Sequence, residues 1–146
     1  MAAPDPERLA VWRRLLLTHA QLDRALTQAM LEERDLPLPW FEALNALQTA
    51  GGKVRVMDLA EQLSISPSSL SRQLTRMEDE GLVRRDRGAD DDQRAVLMVL
   101  TREGRDTWRR ANTTYQRVLR KQFFGRLADS DVAAMQRAFS KVLGTR

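Results

Sequence analysis

Between Ser66 and Arg76 the chain sets hydroxyls and guanidinium groups at helical spacing around apolar anchors. Leu70, Leu74 and Met77 recur at steps of four and three, so they share one face of a helix. Ser68, Ser69, Ser71, Arg72, Thr75 and Arg76 then face the other way, with Gln73 near the boundary. The chemistry open to such a face is hydrogen bonding to duplex DNA. Small hydroxyls allow close approach, and arginines reach base edges or phosphate oxygens. A second set, Asp90-Asp-Asp92-Gln-Arg94, follows on a predicted turn. A carboxylate two residues from an arginine can orient its planar guanidinium, and a narrow minor groove draws such a cation in. The three aspartates read as a solvated loop tip rather than a cation site, because consecutive loop residues rarely converge on one ion.

Other chemistries are excluded by what the chain lacks. It has no cysteine, which removes disulfides, thiolate catalysis, cysteine-ligated zinc and thiol-based sensing. The single histidine, His19, is too little for a zinc site, which gathers several nitrogen or sulfur ligands. There is no Gly-rich phosphate loop, nucleophile elbow or metal-binding histidine pair. No catalytic residue, cofactor or metal is therefore assigned, and the expectation is that the chain is not an enzyme. Its apolar runs are too short to span a membrane. Acids at Asp5 and Glu7 interrupt the N-terminal stretch, which does not read as a secretory signal, so the expected location is cytoplasmic. The net charge of +4 is unevenly spread: residues 101–146 carry eleven basic and four acidic side chains, while residues 51–100 carry eight and nine. Only the face turned to phosphate needs to be positive, and Arg72 and Arg76 precede any acid on their helix.

The elements that must hold these residues follow from periodicity and punctuation. Apolar residues on two stripes, Leu9-Trp12-Leu16-His19 and Val11-Leu15-Leu22-Leu26-Ala29, predict a long helix over residues 7–33 with partners on two sides. One of those partners can be a second subunit. Prolines at 37 and 39 break the pattern, and a helix over 39–50 stops at Gly51-Gly52. Residues 53–56 form a short strand or extended link, and Met57, Leu59, Ala60 and Leu63 mark the next helix. Ser64-Ile65 makes a turn, Ser66 is the N-cap of the following helix, and Pro67 is its first residue. After Gly81, strands over 82–87 and 95–100 flank a tip at 88–93. Thr101 caps a long helix bearing Trp108, Ala111, Tyr115 and Val118, and a last helix begins near Ser130 and ends at Gly144. Helix, turn, helix and two-stranded wing give a winged helix-turn-helix in a mainly α chain. Among Arg84, Arg85 and Arg87, which alternate with the pleat, Arg87 lies closest to the tip and is the expected DNA contact.

With these residues in place the chain resembles the MarR family of bacterial transcription regulators. The likeness rests on Leu74-x-x-Met77-x-x-x-Gly81-Leu82-Val83-x-Arg85, on Asp92-Gln-Arg94-Ala95, and on Val99-Leu100-Thr101-x-x-Gly104. It extends over nearly the whole chain. The resemblance implies a homodimer with interleaved terminal helices and a winged module on each side. It implies that Arg94 enters the minor groove with Asp92 holding it, and that Ser66, Ser68, Ser69, Ser71, Arg72, Gln73 and Arg76 face the major groove. On this basis residues 1–50 and 101–146 form the helical dimerisation region and residues 51–100 the DNA-binding module. The expected partners are a second copy and a pseudo-palindromic double-stranded operator, whose occupation represses transcription until a small ligand relieves it.

Trp12, His19 and Trp40 carry two readings. Relatives in this family bind small aromatic compounds in a crevice beside the dimer helices, and an aromatic pair with a histidine suits such an effector. Packing of the helices accounts for the same residues. A winged-helix module that binds protein instead of DNA is the alternative function; the arginines at 72, 76 and 94 weigh against it.

Overall fold

Proline and left-handed residues punctuate a largely helical chain. The structure is a computed structural model describing residues 3–87 and 96–145. In order it contains α1 (Pro6–Arg34), α2 (Leu38–Thr49), β1 (Lys53–Arg55), α3 (Val56–Leu63), α4 (Pro67–Asp79), β2 (Val83–Asp86), β3 (Leu97–Leu100), α5 (Arg102–Gln122) and α6 (Asp129–Leu143). A short 3-10 turn, Phe124–Arg126, separates the last two helices. The predicted tip at 88–93, with Asp92 and Arg94, lies outside the described residues.

The strands form one antiparallel sheet in the order β1-β3-β2. Lys53 pairs with Val99 on one side of β3, and Arg84 pairs with the same residue on the other. Residues 53–55 are thus a strand, settling the choice the sequence left open. Together α3, α4 and the sheet make the winged helix-turn-helix. Its core is apolar: Leu59, Leu70, Leu74, Met77 and Met98 are all fully buried. Each such side chain contributes roughly 1.5–3 kcal/mol by leaving water.

The chain divides into two units, Met30–Thr114 and Met1–Ala29 with Tyr115–Arg146. The first contains α2, the winged module and most of the buried side chains, among them Phe41, Leu44 and Leu47 of α2. The second differs sharply. Its buried hydrophobics are Leu26 and Val118, whereas Leu9, Val11, Trp12, Leu15, Leu16, Leu17, Phe124, Phe139, Val142 and Leu143 are exposed. A helix such as α6, with no buried residue, gains little from the chain it belongs to.

Candidate nucleic-acid interface

The outer helix of the winged module starts where its capping residue dictates. The Ser66 hydroxyl accepts the Ser69 N–H at 3.2 Å, and Pro67 takes the first turn. This satisfies one orphan donor and fixes the direction of α4. Ser66 Oγ also bonds Ser69 Oγ at 2.8 Å and meets Ser68 Oγ at 3.3 Å. Arg72 Nη2 in turn donates to Ser69 Oγ at 3.3 Å. Four of the predicted groove residues therefore form one hydrogen-bonded chain along the first turns of α4, with Ser66 acting as its cap.

Leu70, Leu74 and Met77 are buried as the periodicity requires. Ser68, Ser69, Ser71, Arg72, Thr75 and Arg76 are exposed. Gln73 behaves differently: its amide nitrogen donates to the Pro39 carbonyl at 3.1 Å, tying α4 to the first turn of α2. On the exposed face, hydroxyls and guanidinium groups stand where a polyanion can approach, and the acids Asp58 and Glu61 belong to α3 instead.

At its far end α4 closes on Gly81, whose φ of +77° is left-handed. Gly81 N–H bonds the Glu78 carbonyl and Leu82 N–H the Met77 carbonyl, which turns the chain straight into the wing. Thr101 locks the base of that wing. Its N–H bonds the Leu82 carbonyl at 3.2 Å, its hydroxyl donates to the Gly81 carbonyl at 2.6 Å, and the same oxygen accepts the Gly104 N–H at 3.0 Å. A Cβ on Gly104 would run into the Leu82 carbonyl oxygen, so only glycine lets α5 approach the base of the wing.

Arg85 is the functional candidate that sequence reasoning passed over in favour of Arg87. Both Arg84 and Arg87 are exposed, whereas Arg85 shares the inner face of β2 with the buried Val83. It pairs with Glu78 at 3.0 Å and reaches the Ser71 carbonyl and the Thr75 hydroxyl, each also at 3.0 Å. The pleat was the available signal, since residues two apart on a strand share a face. Lys53 and Asp86 form a looser pair at 3.6 Å across the sheet.

The three residues considered for a ligand are distributed over both units. Trp12 and His19 are exposed on α1, and Trp40 is half-buried at the start of α2. In the Met30–Thr114 unit Trp108 Nε1 donates to Asn45 Oδ1 at 2.9 Å, tying α5 to α2. Among the described residues no cluster of histidine and carboxylate side chains could hold a metal ion, and no helix is long and apolar enough to cross a membrane.

Comparison with known proteins points one way. The sequence profile of the MarR family matches residues 34–95. The homoprotocatechuate degradative operon repressor of Escherichia coli is 32% identical over 110 residues, covering 66% of this chain and 74% of that protein. The structure of AbsC, a MarR family transcriptional regulator from Streptomyces coelicolor, superposes with a TM-score of 0.86 at 29% identity, over 99% of this chain and 97% of that one. Sco3205, a MarR family regulator of the same organism solved in complex with DNA, has the same fold, with a TM-score of 0.86 at 24% identity over 98% and 90% of the two chains.

Proposed function

The chain belongs to the MarR family of transcriptional regulators, and from that premise we propose that it is a homodimeric repressor that binds a pseudo-palindromic duplex operator and is released by a small aromatic effector. The observation that carries the reading is the exposed face of α4, where Ser68, Ser69, Ser71, Arg72 and Arg76 form a polar, partly cationic surface beside the wing. A helix of this kind reads base edges in the major groove, while the wing contributes phosphate contact and shape recognition. Arg87, exposed after β2, is the phosphate contact on the described part of the wing. Arg94, with Asp92 to orient it, carries over from the sequence reading as the minor-groove contact.

Dimerisation assigns a role to residues 1–50 and 101–146, with residues 51–100 as the reading module. The exposed leucines of α1 supply the apolar surface that a second copy would cover. Two-fold symmetry then sets the recognition helices about 34–36 Å apart, one turn of DNA. Repression and an aromatic effector are supported by the E. coli relative, named as the repressor of a homoprotocatechuate degradative operon. Trp12, His19 and Trp40 are the residues proposed to meet the effector.

The test is selection of bound fragments from a genomic library by the purified protein at two salt concentrations. Enrichment of a short inverted repeat, with affinity falling log-linearly in salt, is the expected result. Recovery of no sequence above background would overturn the reading and leave a winged-helix module for protein partners.

A further inference from the structure

Arg85 binds α4 through both its backbone and its guanidinium, and it lies mostly under the wing rather than on it. Its backbone N–H donates to Glu78 Oε2 at 2.7 Å while its guanidinium bonds Glu78 Oε1 at 3.0 Å. The other end of the fork, Nη2, reaches two turns back along α4 to the Ser71 carbonyl at 3.0 Å, with Ser71 Oγ at 3.4 Å and Thr75 Oγ1 at 3.0 Å. One side chain thus spans the helix from Glu78 to Ser71, and only 17% of it is exposed. The Thr75 hydroxyl is oriented as well, donating to the Ser71 carbonyl at 2.9 Å while accepting from Arg85, which leaves one lone pair free.

We infer that Arg85 is a positioning residue for operator recognition: it bolts β2 to α4, fixing the wing relative to the groove-facing helix and orienting the Ser71 and Thr75 hydroxyls. The inference rests on the operator-binding reading above and adds a device to it. A planar guanidinium can satisfy a carboxylate and a distant carbonyl together because its donors diverge in a fixed fork. Lysine is a point charge and cannot make both ends. Glu78 neutralises the cation, so Arg85 adds little attraction for phosphate; that task falls to exposed arginines such as Arg87.

The distinction can be read in the salt dependence. A residue that neutralises a phosphate contributes about one unit to the slope of log affinity against log salt. The experiment titrates the enriched operator with wild-type protein, Arg85→Met, Arg85→Lys and Arg87→Ala across a salt series. Thermal unfolding of each protein checks folding. Both Arg85 variants are expected to lose on the order of tenfold in affinity, the scale of one charge-assisted hydrogen bond, with wild-type salt slope and a weaker preference at the base pairs facing Ser71 and Thr75. Arg87→Ala is expected to lower the slope by about one. Should Arg85→Met prove unstable, Glu78→Gln cuts the bolt from the other side and is expected to weaken the preference at the same base pairs without lowering the slope. Rescue by Arg85→Lys, a slope reduced by about one in Arg85→Met, or wild-type affinity in both Arg85 variants would overturn the inference while leaving operator binding intact. Absence of specific binding by the wild type would overturn both.

Discussion

Arg76 and Gln73 stand three residues apart on α4, yet their surroundings assign them different work. Arg76 is exposed, and Gln73 is half-buried with its amide spent on the Pro39 carbonyl. If Arg76 reads a base edge, Arg76→Ala should lose roughly 1–3 kcal/mol of discrimination at one base pair. Competition among operators changed one pair at a time measures this, and an equal loss on every operator would make Arg76 a phosphate ligand. Gln73→Leu should instead cost about 1 kcal/mol of folding stability, the net value of one hydrogen bond, visible as a lower urea midpoint. Its base preference should stay as in the wild type. A change at a single base pair would mean that the amide leaves Pro39 when DNA arrives.

At the scale of elements, the joint between α4, β2 and α5 is held by atoms that tolerate no addition. Gly104→Ala would place a methyl group against the Leu82 carbonyl and the Leu100 side chain, and since the nearest atom is backbone the strain has no easy outlet. The expected loss is about 3 kcal/mol, at the upper end for overpacked sites, measured by urea unfolding. A wild-type midpoint would show that the helix can swing away at no cost. The turn between α3 and α4 predicts the opposite sign. Ser64 holds a φ of +54°, which disfavours a side chain, so Ser64→Gly should raise stability by about 0.5–1 kcal/mol. A lower melting temperature would mean that the serine side chain stabilises the turn by more than its strain costs.

These joints explain what the sequence could and could not disclose. Ser66-Pro67 and Gly81 announce the limits of α4 because caps and left-handed stops act over a few residues. Thr101 and Gly104 were visible as a motif, but the Leu82 oxygen that makes glycine necessary lies twenty-two residues earlier in the chain and shows only in three dimensions. The Arg85–Glu78 and Gln73–Pro39 contacts belong to the same class, since local pattern gives the face of a residue and not its partner across the fold. Small boundary shifts also have local causes. The prediction began the last helix near Ser130; α6 starts at Asp129, where Asp131 accepts the Ala128 N–H at 2.9 Å.

For the whole molecule, the unevenness of burial is the main physical fact. The unit of Met30–Thr114 closes a core of its own, while the terminal helices leave apolar side chains such as Leu16 and Leu17 half or more exposed. Exposed leucines scattered singly are ordinary; a run of them on α1 is the apolar surface on which the proposed pairing rests. Two-fold symmetry makes a second copy the economical one, because the same patch serves both sides and any change in it acts twice. Leu16→Glu therefore discriminates cleanly. On a monomer Leu16 is already half exposed, so the substitution should cost no more than about 1 kcal/mol. In a dimer it would bring two carboxylates into an apolar interface, where burying an unpaired charge is far more costly. Sedimentation should find the wild type dimeric and Leu16→Glu monomeric at micromolar concentration. The variant should keep its folded helix content but bind a two-half-site operator no better than a single half-site. A wild type that sediments as a monomer, or a variant that stays dimeric, would place the pairing surface elsewhere and remove the geometric reason for a palindromic operator.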